Sequence, residues 1–232
     1  MAAALVLSGG TGARLGTAVP KQYIKICDRF VISFCIEVLA GHDGINSIQI
    51  VAAQQWQELI SEIIEKYDNA GKFRGFSDPG KNRQLSIYNG LKDIRSYTDD
   101  SGVVLIHDAA RPLLSGQQVT DCLAAMDGHD GVLPALPMKD TVYFSGDGMR
   151  ISSLLERNRV FAGQAPELFV LGKYYEANRR LLPDIIYKIN GSTEPAVMAG
   201  MDIAMIPGDE RNFKITTAKD LEHFREIVQK GR

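Results

Sequence analysis

Residues 3–21 read Ala-Ala-Leu-Val-Leu-Ser-Gly-Gly-Thr-Gly-Ala-Arg-Leu-Gly-Thr-Ala-Val-Pro-Lys. The first five are apolar and predict a buried strand that runs into a glycine-rich loop. Backbone N–H groups in such a loop bind phosphate, and Arg14 and Lys21 add fixed cations. The stretch lacks the Gly-Lys-Ser/Thr of a P-loop, and Leu15 stands where a dinucleotide fingerprint needs glycine. The loop therefore favours a nucleoside triphosphate over a plain glycine turn at a strand end.

Strand and helix patterns alternate after this loop. Further apolar runs predict strands at 47–52, 103–106 and 131–136. Helical patterns cover 31–39, 56–67, 83–94, 117–126 and 170–182, and a last helix starts near Thr217, where Thr217 and Asp220 approximate a capping box. This order predicts a single α/β domain over 1–232 with a mostly parallel sheet, whose ligands lie at the carboxyl ends of the strands.

The composition of the chain argues against several classes of binding partner. A net charge of −2 provides no general attraction for nucleic acid or an anionic membrane. No apolar run approaches the ~20 residues of a membrane span. The three cysteines, Cys27, Cys35 and Cys122, lack C-x-x-C spacing and indicate a reducing compartment. We expect a cytoplasmic enzyme without a nucleic-acid or membrane partner.

The alternation ends at residue 139. Residues 141–144 and 149–154 predict a β-hairpin around a Gly/Asp turn, with 157–159 closing it. An isolated hairpin is marginally stable in water. We therefore expect this arm, residues 139–159, to pack on another surface, such as a second subunit.

Three further segments carry candidate chemistry. The segment 107–112 reads His-Asp-Ala-Ala-Arg-Pro; there Asp108 is a candidate Mg²⁺ ligand and Arg111 a phosphate clamp, unless the two form an ion pair that caps the turn. The segment 80–86 is either a second donor turn or an ordinary basic start of a helix. Lys214, between apolar neighbours, either points into a site or extends its ammonium to solvent.

Taken together, the motifs resemble those of the 2-C-methyl-D-erythritol 4-phosphate cytidylyltransferases. The resemblance rests on an ordered set: the glycine loop with Pro20-Lys-Gln-Tyr23, Arg83-x-x-Ser86, His107-Asp-Ala-Ala-Arg-Pro112, Asp140-Thr141, Gln164-x-Pro166 and Asn212-x-Lys214-x-Thr216. Ribitol-5-phosphate cytidylyltransferases share much of the pattern, but they more often have Phe at the position of Tyr23. The motifs Pro20-Lys-Gln-Tyr23 and His107-Asp-Ala-Ala-Arg-Pro112 favour the methylerythritol branch.

The resemblance implies a Rossmann-like nucleotidyltransferase with a protruding β-arm that transfers CMP from CTP, with Mg²⁺, to methylerythritol phosphate; ribitol 5-phosphate or another polyol phosphate is the alternative acceptor. It implies that the CTP triphosphate contacts Ser8, Gly9, Gly10, Thr11 and Gly12, and that the catalytic cations are Arg14, Lys21 and Lys214. Cytosine and ribose would contact Gly80, Lys81 and Ser86. The acceptor would contact Asp108, beside Mg²⁺, and Arg111, Thr141, Arg157 and Thr193, of which Thr141 and Arg157 reach across a homodimer from the partner's arm.

Other interpretations and departures remain open. A nicotinamide-dependent oxidoreductase would share the strand, loop and helix, but the second strand ends Val51-Ala-Ala-Gln54 without the acidic residue that binds the ribose. A non-catalytic nucleotide sensor would not need both Lys21 and Lys214. Ala165 and Glu167 stand where the family usually has Thr and Gln, and Thr193-Glu-Pro195-Ala196 stands where it usually has Thr-Asp-x-Ala. These departures leave the acceptor the least determined part of the interpretation.

Overall fold

A computed structural model describes residues 1–10 and 19–230. The described strands are β1 (Ala2–Leu7), β2 (Lys25–Ile26), β3 (Arg29–Phe30), β4 (Ile45–Val51), β5 (Phe73–Ser77), β6 (Val103–Asp108), β7 (Gly131–Pro137), β8 (Val142–Phe144), β9 (Ser153–Leu155), β10 (Phe161–Gly163), β11 (Glu167–Val170) and β12 (Ile203–Pro207). The α-helices are α1 (Val31–Gly41), α2 (Gln54–Tyr67), α3 (Arg83–Ile94), α4 (Gly116–Ala124), α5 (Leu171–Arg179), α6 (Glu194–Met198) and α7 (Ala218–Lys230). Short 3₁₀ turns occur at Lys21–Tyr23, Arg157–Arg159 and Ile185–Lys188.

The central sheet has eight strands. Strands β5, β4, β1 and β6 are parallel neighbours in that order. Strand β11 lies antiparallel between β6 and β7, and β12 runs parallel to β7 along its other edge. The short strand β10 pairs antiparallel with the far end of β7. The predicted mostly parallel α/β fold is thus confirmed.

Strand β1 shows why the sheet is covered on both faces. Alternate residues of a strand point to opposite sides. Ala2, Ala4 and Val6 join the core formed with α1, α2 and α4, whereas Ala3 and Leu5 join the core formed with α3 and α5. Because both faces are buried, the strand is apolar throughout, which is the pattern that makes it visible in the sequence.

The central strands and the main helices appear where the sequence predicts them. Helix α3 matches its predicted bounds, 83–94, and α7 begins beside a reciprocal capping box. In that box the Thr217 N–H donates to the Asp220 carboxylate at 2.7 Å, and the Asp220 N–H donates to the Thr217 hydroxyl at 3.3 Å. The strands that the sequence does not predict are β2, β3, β5, β10, β11 and β12.

The arm forms a hairpin with a different second strand from the predicted one. Val142–Phe144 pairs with Ser153–Leu155, so residues 149–152 belong to the connection. The Asp147 carboxylate accepts hydrogen bonds from the N–H groups of Met149 and Arg150, both at 2.9 Å, which continues the turn through the residues expected to start the strand. Residues 157–159 form a 3₁₀ turn after the hairpin and do not close it.

No helix in the described part of the chain is both long enough and apolar enough to cross a bilayer.

Candidate active site

A cavity of about 450 Å³ opens where β1 and β6 end and α3 begins. This is the edge at which parallel sheets bind ligands. The lining residues are Leu7, Gly9, Gly10, Lys21, Gln22, Gly80, Lys81, Asn82, Arg83, Ser86, Asp108, Ala110, Lys214 and Thr216. Segments that are more than 200 residues apart in the sequence therefore meet in one cavity, as the motif set implies.

The described lining carries an excess of positive charge. It contains four cationic side chains, Lys21, Lys81, Arg83 and Lys214, against the single carboxylate of Asp108. A cleft with this balance attracts a polyanion through its local field, although the whole chain carries a net charge of −2.

The glycine loop follows β1 and is held by a buried amide. The Gln22 amide nitrogen donates to the carbonyls of Ser8 and Gly10, both at 2.8 Å. A Cβ at Gly9 would lie 2.8 Å from Cβ of Pro79, so any larger residue there would displace the neighbouring turn. Glycine at position 9 is thus required by close packing on one side of the cavity.

Ser8 does not line the cavity. Its hydroxyl donates to the Tyr23 hydroxyl at 2.8 Å, and the Tyr23 hydroxyl donates to the Ser8 carbonyl at 2.9 Å. Ser8 therefore holds the strand end against the Lys21–Tyr23 turn. Thr11, Gly12 and Arg14 lie outside the described residues.

The second glycine turn forms the opposite wall. The Gly80 N–H donates to the Ser86 hydroxyl, and that hydroxyl donates to the Asn82 carbonyl, both at 2.9 Å. The Asn82 side chain caps α3 by accepting from the Leu85 N–H at 2.8 Å. Gly80, Lys81 and Ser86 all line the cavity, so the segment is not an ordinary helix start remote from the site, although the Gly80 N–H is already bonded to Ser86.

Asp108 is the centre of the charge cluster. Its Oδ1 accepts from Arg83 Nε at 3.2 Å and from Arg83 Nη2 at 3.1 Å, and its Oδ2 accepts from Lys214 Nζ at 2.9 Å. Burial disfavours the charged carboxylate, but Arg83 and Lys214 outweigh burial and hold the pKa of Asp108 well below its usual range. Asp108 is therefore an anion throughout the physiological pH range.

Lys214 points into the site. It lies in an extended segment and not in a strand, and its ammonium reaches Asp108. The interpretation in which this lysine extends to solvent is therefore wrong.

Arg111 lies behind Asp108. Its Nη1 donates to the Asn212 carbonyl at 2.7 Å, and its Nε is 3.6 Å from Asp108 Oδ2. It does not line the cavity, so the ion-pair interpretation describes its place in this structure better than a phosphate clamp.

His107 is a buried, neutral side chain. Burial lowers its pKa to about 4, and its Nε2 is 3.0 Å from the Arg111 carbonyl. The histidine packs beneath the site and does not line it.

The other residues expected to bind the acceptor do not line the cavity within one chain. Thr141 and Arg157 are exposed on or beside the arm, where Arg157 Nη1 donates to the Lys139 carbonyl at 2.8 Å. The Thr193 hydroxyl donates to the buried carboxylate of Glu167 at 2.9 Å. Burial raises the pKa of Glu167 above its usual value, although Arg83 opposes the shift.

Two residues that the motifs contain but to which no role was assigned belong to the site. Arg83 lines the cavity and holds Asp108, and Gln22 fixes the glycine loop. Besides the motif Arg83-x-x-Ser86, a signal for Arg83 is its place in the first turn of α3, where the helix dipole disfavours a cation unless an anion lies nearby. Gln22 stands in the motif Pro20-Lys-Gln-Tyr23, but nothing in the sequence indicates that its side chain is buried beneath the glycine loop.

No group of three or more His, Cys, Asp or Glu side chains suited to a metal occurs within residues 1–10 and 19–230. Any metal at this site would take most of its ligands from something other than the described side chains.

The mostly parallel sheet, the glycine turns and the cationic cavity at the strand ends fit a nucleotidyltransferase, and comparison with known proteins shows this class. The family model of IspD, 2-C-methyl-D-erythritol 4-phosphate cytidylyltransferase, matches residues 2–230. The chain belongs to the IspD family. A solved 4-diphosphocytidyl-2C-methyl-D-erythritol synthase from Anaerococcus prevotii has the same fold, with a TM-score of 0.84 at 24% identity over 99% of this chain and 96% of that one.

Two relatives represent the branches of the family. A 2-C-methyl-D-erythritol 4-phosphate cytidylyltransferase of Syntrophotalea carbinolica is 35% identical over 218 residues, covering 94% of this chain and 91% of the relative. A ribitol-5-phosphate cytidylyltransferase of Streptococcus agalactiae serotype III is 26% identical over 228 residues, covering 96% and 93%. The chain spans about half the length of the bifunctional IspD/IspF relatives that it also matches. The protein is a cytidylyltransferase of the IspD type.

Proposed function

We propose that the protein transfers CMP from CTP to 2-C-methyl-D-erythritol 4-phosphate, releasing pyrophosphate and 4-CDP-2-C-methyl-D-erythritol. The observation that carries the proposal is the convergence of Gly9, Lys21, Gly80, Asp108 and Lys214 on one cationic cavity. The family model and the higher identity to a methylerythritol-phosphate enzyme than to a ribitol-phosphate enzyme support this acceptor.

The nucleotide would span the two glycine turns. Gly9 and Gly10 offer a backbone cradle to the triphosphate beside Lys21, and Gly80, Lys81 and Ser86 line the opposite wall for ribose and cytosine. The Ser86 hydroxyl already bonds to Gly80 and Asn82, so it would shape the base pocket and would contact the base less directly than the backbone does.

Cytidylyl transfer to a phosphate group needs positioned cations and does not need a general acid–base pair. The attacking group is a phosphate oxygen, which is largely dianionic near neutral pH because its second pKa is about 6. The obstacle is the approach of this anion to the anionic α-phosphate of CTP. Lys21 and Lys214, with Arg14, would reduce the repulsion and stabilise the charge that develops on the phosphates.

The described residues fit a Mg²⁺ ion that enters with the nucleotide. A carboxylate offers about four lone-pair positions, and Arg83 and Lys214 occupy three of those of Asp108. Asp108 would therefore contact the ion directly or through water, and phosphate oxygens would supply the other ligands. When bound, Mg²⁺ neutralises phosphate charge.

The acceptor pocket would be completed by a second subunit. Thr141 and Arg157 lie on or beside the exposed arm, and Thr193 contacts Glu167, which also lies within electrostatic reach of Arg83. In a homodimer joined through the arms, Thr141 and Arg157 would reach the partner's cavity and bind the acceptor phosphate.

Ribitol 5-phosphate is the second candidate acceptor. The match to the ribitol-phosphate relative covers as much of the chain as the match to the methylerythritol-phosphate relative. Ala165 has no hydroxyl to offer an acceptor, and the buried Glu167 carboxylate lies within electrostatic reach of Arg83, which lines the cavity.

A direct comparison of acceptors tests the proposal. The protein would be supplied with CTP, Mg²⁺ and either methylerythritol phosphate or ribitol 5-phosphate, and the products identified by mass spectrometry. We expect the CDP-alcohol of methylerythritol, with a kcat/KM at least about tenfold above that for ribitol 5-phosphate, since a site built for one hydroxyl pattern rejects another by that factor or more. A preference for ribitol 5-phosphate would assign the chain to the other branch.

A further inference from the structure

The placement of Lys214 needs an explanation, because no strand or helix holds it. Residues 211–216 are irregular, yet the Lys214 ammonium lies 2.9 Å from Asp108 Oδ2. One backbone contact, from the Ile215 N–H to the Ala110 carbonyl at 2.9 Å, ties the segment to the loop after β6. A long, flexible lysine side chain on such a segment needs further restraint to keep one position.

Asn212, two residues before Lys214, provides that restraint. It is fully buried, and its Nδ2 donates to Gln118 Oε1 at 2.9 Å and to the Ala165 carbonyl at 2.7 Å. Its own carbonyl accepts from Arg111 Nη1 at 2.7 Å. One side chain and its carbonyl thus join the lysine segment to α4, to the link before β11 and to the loop after β6.

Several hydrogen-bonding atoms around Asn212 are buried without a partner in the described part of the chain. Gln118 Nε2, Asn212 Oδ1 and Arg111 Nε are buried and have no hydrogen-bond partner among the described residues. Unpaired buried polar atoms cost free energy, and apolar side chains of the same shape would avoid that cost. Stability alone therefore does not account for a glutamine and an asparagine at these positions.

We infer that Asn212, held by Gln118, is a positioning residue that fixes Lys214 against Asp108 for the transfer reaction. The inference rests on the role proposed above for Lys214. Its physical basis is that a displacement of about 1 Å in a reacting or charge-stabilising group can cost about 100-fold in rate.

Gln118→Met is the first test, because methionine has nearly the volume of glutamine and removes only the polar contact. We expect kcat to fall by at least about tenfold while KM for CTP changes less than about twofold, since the effect falls on the transition state and not on ground-state binding. The matched control is Gln117→Met, at the neighbouring, exposed position of α4, whose side chain donates a hydrogen bond to Asp121 on the same helix. That variant should keep the wild-type kcat.

A double-mutant cycle with Lys214→Ala then shows whether the effect passes through the lysine. If it does, adding Gln118→Met to Lys214→Ala lowers kcat no further, because the group being positioned is already absent. Fully additive losses, or an unchanged kcat in Gln118→Met, would overturn the inference.

A second variant, Asn212→Ala, tests the inference if Gln118→Met folds poorly. Asn212→Ala should retain the circular dichroism spectrum of the folded protein. Its kcat should fall by at least about tenfold while its KM for CTP changes less than about twofold. Unfolding of both variants would show that the contact serves only the fold and would also overturn the inference. Cytidylyl transfer by the wild-type protein is measured separately with whichever acceptor reacts, so failure of the proposed function is distinguishable from failure of this inference.

Discussion

Asp108 illustrates how one carboxylate organises several cations before any ligand arrives. With Arg83 on one oxygen and Lys214 on the other, it separates two like charges that would otherwise repel each other within the cavity. Charges held in place beforehand need little reorganisation during the reaction, which is the main source of electrostatic catalysis. The same contacts explain why the pKa of Asp108 is strongly depressed.

Lys214→Ala tests this arrangement at the residue scale. We expect kcat to fall by about 10²–10³, as for loss of a preorganised donor, with folding retained because Arg83 still pairs with Asp108. Steady-state kinetics on Lys214→Ala and on Lys219→Ala, an exposed lysine of α7, provide the comparison. An unchanged kcat in Lys214→Ala would remove this lysine from the reaction.

Glu167 provides a test in pH-dependent stability. Burial raises its pKa in the folded state above the ordinary 4.5, so the folded protein binds this proton more tightly than the unfolded chain. Its contribution to stability is therefore greatest below the unfolded pKa and is lost as pH rises. Glu167→Gln removes the cost of ionisation and keeps one of the two acceptor oxygens, to which Ser192 and Thr193 donate separately in the wild type.

Thermal unfolding of Glu167→Gln at several pH values measures this effect. We expect its Tm to exceed that of the wild type by a few degrees at pH 8, with the difference shrinking toward pH 4.5, since about 1 kcal/mol shifts Tm by about 2–4 °C in a chain of this size. The control is Glu65→Gln, at an exposed position of α2. A difference in Tm that does not vary with pH would contradict the account of Glu167.

At the scale of elements, predictability follows burial. Strand β1 is buried along its whole length and reads as a continuous apolar run, whereas β5 reads Phe-Arg-Gly-Phe-Ser and lies at the end of the sheet, where the pattern is lost. Strand β11 has only four residues, and the sequence does not predict it because its pairing with both β6 and β7 depends on contacts distant in sequence. Helix α3 was predicted because its apolar positions recur at helical spacing.

The arm is the element whose role depends on a second molecule. Tyr143, Phe144, Ile151 and Leu154 are each more than half exposed in one chain. Symmetric packing of two arms would bury these side chains and bring each Arg157 toward the neighbouring cavity.

Mixing two inactive variants tests the shared site. Lys21→Ala and Arg157→Ala subunits, combined under conditions in which subunits exchange, would form dimers with one intact site and one site carrying both changes. We expect part of the activity to return in the mixture and not in either variant alone. Exchange without recovery would place Arg157 in its own subunit's site, and a fully active monomer by light scattering would exclude a role for the arm.

Across the whole molecule, the chain gathers positive charge in one cavity while its net charge stays slightly negative. The sequence predicted Lys21, Asp108 and Lys214 because each stands in a recognisable motif. It did not predict the pairing of Arg83 with Asp108, or that Arg111 lies behind the site, because both depend on how α3 and the 211–216 segment approach β6. Motifs indicate which residues converge, and tertiary packing decides which of them face the ligand.

The central claim is that this cavity transfers the cytidylyl group, and labelled CTP tests it most directly. With [α-³²P]CTP, Mg²⁺ and methylerythritol phosphate, we predict that the label enters a CDP-alcohol; with [γ-³²P]CTP, it enters pyrophosphate in equal amount. Label recovered only as CTP or CMP, whether or not an acceptor is present, would contradict the account.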